Sequence, residues 1–236
     1  MAVNKDSNGY TFFFAIALVV VVGAGLAAIS MGLKPYQDKN VEVKKKMDIL
    51  SAIKIESTRK TGEDLYAQYI DSEASLVLDN DGNVQDGKVA FDIDIKKQYR
   101  DKTLSKCDRD YPLYVANVEG ETKYIIPVVG SGLWGPIWGY ISVNSDKTTI
   151  YGATFDHKTE TPGLGAEIKQ AFYYNQYEGE TISADGNFTQ IKSVKDGTGS
   201  MPGRVDGITG GTITSKGVEE MVNRTLAVYV EYFKKS

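Results

Sequence analysis

The chain has 236 residues, a formal net charge of −4, one cysteine and one histidine. That length allows one membrane segment and one medium-sized domain, at about 100–200 residues per domain. The single Cys107 and the single His157 exclude a disulfide within the chain, and also an iron–sulfur cluster or a multi-Cys/His zinc site built by this chain alone. The acidic balance, without clustered excess lysine and arginine, argues against a nucleic-acid surface. Any redox chemistry would therefore depend on an organic cofactor, and no metal site is expected.

An uncharged stretch near the N-terminus predicts a transmembrane helix over residues 10–33. No charged side chain occurs from Ser7 to Leu33. At about 1.5 Å per residue, a helix of roughly 24 residues reaches about 36 Å, enough to cross a bilayer core of about 30 Å with some tilt. A cleaved signal peptide has a shorter apolar region, of about 7–15 residues, and a strongly basic start. We therefore expect an uncleaved single-pass anchor after a short cytoplasmic tail, residues 1–9.

The segment 34–60 is expected to form a juxtamembrane helix, because apolar side chains recur at helical spacing from Asn40 to Ile55. Residues 61–236 would then form a separate soluble domain. A positive-inside count over the residues after the span would place that domain in the cytoplasm. The rule acts mainly on short loops, whereas a long domain follows here, so the residues themselves leave the orientation open. The lysines concerned are Lys34, Lys39, Lys44, Lys45 and Lys46.

The hydrophobic period changes from helical to alternating after Ile70, and the pattern predicts an α+β domain with antiparallel strands. A short helix is expected from Thr61 to Ile70, and further helices over Gly165–Tyr177 and Lys216–Lys235. Turn signals such as Glu119-Gly120 would join neighbouring strands as hairpins. Hairpins segregated from helices favour α+β over a doubly wound sheet. The candidate strands are Ser75–Leu78, Val89–Ile95, Tyr111–Val118, Thr122–Val129, Gly139–Val143 and Thr148–Phe155.

The stretch Val205–Ser215 combines glycines and hydroxyl side chains directly before the C-terminal helix. Ser215 or Thr214 is a plausible N-cap of that helix, since a short hydroxyl accepts hydrogen bonds from the first N–H groups. A glycine-rich loop that leads into a helix N-terminus suits a phosphate, and the paired Gly210 and Gly211 would let the backbone approach a ligand closely. A turn of this composition before a helix is also common. Spacing alone leaves the choice open between a phosphate site and an ordinary connection.

Two further stretches have the composition of a binding site. Gly130–Tyr140 contains both tryptophans of the chain among glycines and a proline, and a large flat ring could lie against such a surface. A core tryptophan pair under a glycine-rich bend is the alternative. His157–Gly165 is a loop stiffened by proline and loosened by glycine. Its alternative role is that of a simple connection from a strand to a helix.

Three motifs, taken in order, resemble the FMN-binding domain of one family. They are Gly132-Leu133-Trp134-Gly135, Glu160-Thr161-Pro162-Gly163-Leu164-Gly165 and Asp206-Gly207-Ile208-Thr209-Gly210-Gly211-Thr212. The last resembles the flavinylation motif Asp-x-x-Ser/Thr-Gly-Ala-Thr, with Gly211 where alanine is usual. Together with Leu33-Lys34-Pro35 after the span, these motifs resemble the C-type subunit of the sodium-translocating NADH:quinone reductase. They are also similar to its relative, the G-type subunit of the Rnf electron-transport complex.

The resemblance implies one FMN per chain, joined through its phosphate to the Thr212 hydroxyl as a phosphoester. It also implies a domain on the periplasmic side of a bacterial inner membrane, in contact with lipid through its anchor. The other subunits of the complex would pass electrons towards ubiquinone or menaquinone and export Na⁺. No Cys–His or Ser–His base arrangement accompanies Thr212, so attachment is expected to need a separate flavin transferase. No Gly-x-Gly-x-x-Gly follows a strand, so NADH is expected to bind elsewhere in the complex.

A flavin site needs an apolar slot, a polar edge and a phosphate anchor. No residue of this chain is expected to be catalytic itself. Two alternative functions remain: the G-type subunit of an Rnf complex serving ferredoxin and NAD, and a membrane-anchored binding module with an empty flavin site. The expected site residues are Leu133, Trp134 and Leu164 for the slot, Glu160, Thr161 and Gly163 for the polar edge, and Asp206, Thr209, Gly210, Gly211, Thr212, Ile213 and Thr214 around the anchor.

Overall fold

A computed structural model describes residues 7–236, so most of the expected cytoplasmic tail lies outside the described residues. The chain divides into two compact units, Met1–Lys45 and Lys46–Ser236. The first unit contains most of α1, a helix over Asn8–Ala52 that is long and apolar enough to cross a membrane. Its apolar side chains from Phe12 to Leu33 are exposed, as expected of a surface that meets lipid. Pro35 lies inside the helix, so the predicted juxtamembrane helix continues α1 rather than starting anew.

The helix α1 ends at Ala52, close to Ile55, where the helical spacing of apolar side chains ends. Lys54 has a φ of 62°, and Ile55 N–H donates to the Leu50 carbonyl over 3.1 Å while Lys54 N–H donates to the Ser51 carbonyl over 3.0 Å. These two bonds form a Schellman motif, in which glycine usually takes the left-handed position. A lysine occupies that position here, so the sequence carries no glycine stop signal.

The second unit is built around a five-stranded sheet whose neighbouring strands are all antiparallel. The strands β2 and β3 turn at Glu119 and Gly120, which both have positive φ, as a type I′ hairpin requires. The predicted α+β class with antiparallel strands is confirmed. The strands, in spatial as in chain order, are β1 (Ile70–Leu78), β2 (Tyr111–Val118), β3 (Glu121–Ser131), β4 (Pro136–Val143) and β5 (Ile150–His157).

The predicted strand Val89–Ile95 is wrong. The segment forms a 3₁₀ turn over Ala90–Asp92 and then begins α3, which runs over Ile95–Arg100. Asp94 caps α3, since its Oδ1 accepts a hydrogen bond from Lys97 N–H over 3.0 Å. A carboxylate in that position satisfies one of the free N–H groups of a helix start. Local capping therefore overrides the alternating pattern.

The remaining elements agree with prediction in part. The short helix α2 covers Gly62–Tyr69, but the predicted helix over Gly165–Tyr177 is broken where Gln170 adopts an extended conformation. Its pieces are a 3₁₀ turn over Gly165–Lys169, α4 (Ala171–Tyr174) and a 3₁₀ turn over Asn175–Tyr177. Four short strands follow and lead to the C-terminal helix. They are β6 (Ser183–Ala184), β7 (Asn187–Phe188), β8 (Lys192–Val194) and β9 (Arg204–Asp206), and the helix is α5 (Thr212–Lys235).

The sheet is covered on both faces. The end of α1 and the helix α2 cover one face, where Ser142 Oγ donates a hydrogen bond to the Ala52 carbonyl. The helix α5 covers the other face, and burial of a large apolar side chain stabilises a fold by about 1.5–3 kcal/mol. This packing fixes the N-terminal end of α5, and with it Thr212, relative to the sheet. The predicted apolar face of α5 is confirmed: Val218, Met221, Val222, Thr225, Leu226, Tyr229, Val230 and Phe233 are all buried.

Candidate functional site

The loop before Thr212 turns sharply between β9 and α5. Gly211 N–H donates to the Ile208 carbonyl over 2.9 Å, so a β-turn forms with Thr209 and Gly210 at its centre. Gly210 has a φ of 75°, the value that a type II turn requires at this position. A Cβ at Gly210 would also lie 2.4 Å from Leu164 Cδ2. Glycine is therefore required at Gly210 both for its backbone angle and for the close approach of Leu164.

Thr212 is the first residue of α5, and its side chain lies at the surface-accessible start of that helix. The N-cap is Gly211, which has no side chain to accept hydrogen bonds. An uncapped helix start leaves its first N–H groups free, and the helix dipole adds a partial positive charge there, so this end of α5 attracts anions. The predicted N-caps are wrong because Thr214 and Ser215 lie within the first turn. Ser215 Oγ instead accepts a hydrogen bond from Ile208 N–H over 3.0 Å.

Lys195 adds a positive charge beside Thr212, and sequence reasoning missed it. The exposed ammonium donates a hydrogen bond to Thr212 Oγ1 over 2.5 Å. Lys195 directly follows β8, which pairs in parallel with β9 at the entrance to the turn. A negative charge about 4 Å from this ammonium group would be attracted to it by about 1 kcal/mol in water. At the effective dielectric near a protein surface the attraction would be about 4 kcal/mol. Only the pairing of β8 with β9 brings this lysine to the loop.

Glu160 joins three segments of the site inside the domain. Its side chain is buried, Oε2 accepts a hydrogen bond from Thr214 Oγ1 over 2.5 Å, and Oε1 accepts one from Trp134 N–H over 2.7 Å. Its own N–H donates to His157 Nδ1 over 3.2 Å. Glu160 is predicted to lie at the polar edge of the flavin. Because both carboxylate oxygens have protein donors, Glu160 holds the first turn of α5 against the Trp134 loop.

Two glycines allow the segments to meet at Glu160. A Cβ at Gly132 would lie 2.6 Å from Glu160 Oε1, and one at Gly165 would lie 2.4 Å from Thr214 Oγ1. Real Cβ atoms essentially never come so close to another heavy atom. The glycines of the first two motifs therefore make room for the carboxylate that links them to the third.

Four large apolar side chains around this meeting point are exposed. The relative exposures are 50% for Leu133, 65% for Trp134, 41% for Leu164 and 58% for Ile213. Leu133 and Trp134 form the tip of the hairpin between β3 and β4, and the Trp134 carbonyl accepts a hydrogen bond from Thr159 Oγ1 over 2.9 Å. The exposure of Trp134 excludes the alternative of a core tryptophan pair. An exposed apolar group of this kind marks a ligand or protein contact.

The remaining predicted residues lie on the borders of the site. Asp206 ends β9, where its N–H donates to Gln176 Oε1 over 2.6 Å and its Oδ1 accepts from Gly199 N–H over 3.2 Å. The Thr161 carbonyl accepts a hydrogen bond from Leu164 N–H over 3.1 Å, which closes a turn around Gly163. These contacts show that Asp206 and Thr161 shape loops through their own hydrogen bonds.

A cleft of about 830 Å³ opens beside the Thr209 turn. Its lining includes Gly163, Phe172, Gln176, Asp206 and Thr209. Small-molecule sites typically have volumes of about 300–1,000 Å³. Neither Thr212 nor the exposed Trp134 and Leu164 line this cleft, so it borders the candidate site and is not the apolar slot predicted for the ring.

A buried aromatic cluster supports the first turn of α5 from below. Tyr173 lies beside Ser215, and the rings of Phe155, Tyr173 and Tyr177 contact one another edge to face. Burial raises the pKa of Tyr173 to about 12 and that of Tyr177 well above its usual value. Both hydroxyls are therefore neutral at physiological pH, and they add no negative charge beneath the proposed anion site.

Residues 132–227 match the family model of the FMN-binding domain. Over 93% of its length the chain is 31% identical to the C-type subunit of the Na(+)-translocating NADH-quinone reductase of Vibrio parahaemolyticus, and it covers 90% of that protein. It is 32% identical to the C-type subunit of Vibrio anguillarum, with the same two coverages. The chain belongs to this family of C-type subunits.

Solved structures of this family share the fold. The C-type subunit of Parabacteroides distasonis is 40% identical, with a TM-score of 0.77, and the match covers 86% of this chain and 98% of that one. The NqrC protein of Shewanella oneidensis is 22% identical, with a TM-score of 0.68, and the match covers 83% of this chain and 98% of that one. At that identity the second match shows the fold alone.

Membership of this family accounts for the organisation of the chain. An N-terminal transmembrane helix precedes an α+β domain that binds FMN, and the chain is an electron-carrying subunit. The matched FMN-binding region contains every predicted site residue from Leu133 to Thr214. The structure brings the three motifs together around Glu160 and Thr212. The contacts of single residues with the flavin remain predictions.

Proposed function

We propose that this chain carries electrons through one FMN joined as a phosphoester to Thr212, within a sodium-pumping NADH:quinone reductase. The observation that carries the proposal is the position of Thr212 Oγ1. It lies at the uncapped start of α5, 2.5 Å from Lys195 Nζ. A phosphate diester on this oxygen would keep a negative charge. The helix dipole and the ammonium group would both stabilise that charge.

The surroundings of Thr212 fit a flavin. Leu133, Trp134, Leu164 and Ile213 expose apolar surface suited to a large flat ring, and the glycine at position 210 lets the backbone come close. Bound FMN would supply reversible electron transfer, which no side chain here provides. The residues of this chain would hold the phosphate, cover part of the ring and keep the cofactor in one place.

The chain supplies the acceptor hydroxyl but no base to activate it. Lys195 donates a hydrogen bond to Thr212 Oγ1, so as an ammonium group it can neutralise charge but cannot take the hydroxyl proton. The only histidine does not contact the hydroxyl either, since His157 Nδ1 accepts Glu160 N–H and its Nε2 is buried without a hydrogen-bond partner. A flavin transferase would therefore provide the base and an activated donor of FMN. The new P–O bond forms to Oγ1, the hydroxyl proton goes to that base, and the activating group leaves with the electron pair of its bond to phosphorus.

The proposed partners and location follow from the family. The relatives named above are subunits of the Na(+)-translocating NADH-quinone reductase, which favours quinone over the ferredoxin of an Rnf-type complex. We assign the anchor to a bacterial inner membrane and the flavin domain to its periplasmic side, with the other subunits, lipid and the transferase as partners. Electrons would pass towards ubiquinone or menaquinone, and Na⁺ export would belong to the whole complex.

The attachment site is tested with Thr212→Val, which keeps the β-branched shape and removes only the hydroxyl. The full chain, co-expressed with a flavin transferase, should show flavin fluorescence on a denaturing gel and an intact mass increased by one FMN. Thr212→Val should lose both signals. Thr212→Ser should retain flavin, because it keeps the hydroxyl. Thr209→Val is the matched control, since Thr209 is exposed on the same turn; it removes a nearby hydroxyl but not the proposed attachment atom and should keep some flavin fluorescence.

Two results would contradict the proposal. Retained fluorescence in Thr212→Val together with loss in Thr209→Val would move the attachment site from Thr212 to Thr209. An unmodified mass for the parent chain, in cells where a known acceptor is flavinylated, would support the alternative of a membrane-anchored module with an empty site.

A further inference from the structure

A small cleft lies where α3, β3 and α5 meet. It has a volume of about 20 Å³. Its lining includes Ile95, Tyr99, Arg109, Pro127, Val129 and Arg224. None of these residues belongs to the candidate flavin site, and the flavin chemistry assigns the cleft no role.

Two guanidinium groups share one aromatic ring in this cleft. Arg109 Cζ and Arg224 Cζ each lie 5.2 Å from the ring centroid of Tyr99. Each contact is a cation–π interaction, which holds a guanidinium group in place without neutralising it. Two like charges so close to one ring repel each other, and an anion beside them would relieve that repulsion.

Arg109 has no protein acceptor among residues 7–236. Its Nε is buried and unpaired, and within that range no hydrogen bond or ion pair joins its guanidinium group to another residue. The adjacent Asp110 is already engaged, because its carboxylate accepts from Lys88 Nζ over 2.5 Å and from Gln98 Nε2 over 2.9 Å. A buried donor without an acceptor destabilises the fold, and more so when the donor is charged. Asp110 also lines the cleft, but its carboxylate is shared with Lys88 and forms no hydrogen bond with Arg109, so Arg109 Nε keeps no acceptor of its own.

Arg224 is better satisfied and fixes the geometry. Its Nε donates to Glu220 Oε1 and its Nη2 to the Val129 carbonyl, both over 2.6 Å. Burial raises the pKa of the Tyr111 hydroxyl, and the positive charges of Arg224 and Arg109 oppose that rise. The cleft therefore combines one anchored arginine with one whose Nε lacks an acceptor.

We propose that this cleft binds one carboxylate group carried on an apolar carbon. A planar guanidinium group pairs with a planar carboxylate through two parallel hydrogen bonds. A water molecule needs about 10–15 Å³ by the same kind of measure, so the cleft has room for the carboxylate oxygens, and the rest of the molecule, such as the ring of benzoate, would extend out of it. Ile95, Pro127 and Val129 supply apolar walls for the attached carbon. A free carboxylic acid and an acidic side chain of another subunit present the same group.

The test uses the full chain in detergent with its flavin attached. Sodium benzoate is titrated at constant ionic strength, sodium chloride and sodium phosphate serve as reference salts, and thermal unfolding is recorded. Benzoate should raise the melting temperature progressively with its concentration, as binding to the folded state requires, and neither reference salt should do so. Arg109→Gln should weaken benzoate binding at least about tenfold, as expected when a charge-assisted hydrogen bond is lost. Arg100→Gln is the matched control, since Arg100 is exposed on α3 and should leave binding unchanged.

A second variant and a second preparation complete the test. Arg109→Lys keeps the positive charge but lacks the two parallel N–H donors of the guanidinium group, so it should also weaken binding. The result therefore does not depend on whether Arg109→Gln folds. Benzoate bound to the isolated chain but not to the assembled complex would identify a neighbouring subunit as the source of the carboxylate. Binding in both would identify a free carboxylate. No rise of the melting temperature with benzoate, equal stabilisation by phosphate, or equal binding by Arg109→Lys and the parent chain would each overturn the proposal.

Discussion

Replacing Thr214 by valine should destabilise the flavin domain without removing the proposed attachment atom. Thr214 is buried, and its hydroxyl donates to Glu160 Oε2 over 2.5 Å. Valine has nearly the same shape but no donor, so the buried carboxylate loses one of its two partners. Hydrogen bonds to charged groups contribute about 1.5–3 kcal/mol. For a domain of this size, a loss of 1 kcal/mol lowers the melting temperature by about 2–4 °C, so we expect a decrease of about 3–12 °C.

The measurement is thermal and urea unfolding of the full chain in detergent, followed by tryptophan fluorescence and circular dichroism. Thr209→Val is the matched control because it makes the same chemical change on an exposed side chain, and its effect should stay within about 0.5 kcal/mol. Both variants should keep covalent flavin, since neither removes the Thr212 hydroxyl. If Thr214→Val costs no more free energy of unfolding than Thr209→Val, the role assigned to Glu160 is wrong.

Two further predictions concern the same loop. Gly210→Ala places a Cβ at a left-handed φ and 2.4 Å from a leucine methyl group, so it should cost at least about 1–2 kcal/mol and reduce flavin attachment measured on a denaturing gel. Gly211→Ala is the control, because its Cβ would lie 3.1 Å from the nearest side chain and alanine is usual at this place in the motif. An equal loss of flavin attachment in both variants would contradict this account of the turn. Lys195→Met should slow flavin attachment several-fold without changing stability. Lys192 is an exposed lysine at the start of β8, and Lys192→Met should not slow flavin attachment. Equal attachment rates for the two variants would exclude the electrostatic role of Lys195.

Local patterns in the sequence determined much of the fold. Alternation predicted the strand Tyr111–Val118 to the residue, and the spacing of apolar side chains predicted the buried face of α5. The motif from Asp206 to Thr212 predicted a glycine turn before a helix, and Gly210 has the positive φ that such a turn needs. These features depend on residues close together in the chain, whose backbone preferences and burial repeat with a fixed period.

Tertiary structure decided the features that depend on distant partners. The stop of α1 at Ala52 requires Lys54 in a left-handed conformation, and the ammonium group of that lysine pairs with Glu178 from far along the chain. The side chain of Thr214 is a buried donor rather than an N-cap because Glu160 lies beneath it.

The charges around the two sites also come from pairings that no local pattern encodes. Lys195 reaches Thr212 only because β8 lies parallel to β9. Arg109 remains without an acceptor because Lys88 and Gln98 engage the carboxylate next to it. Sequence periodicity reports whether a side chain is buried, but a hydrogen-bond partner is chosen by the packing of whole elements. For this reason the motif pointed to the proposed attachment threonine, while its charged and buried neighbours emerged only from the folded domain.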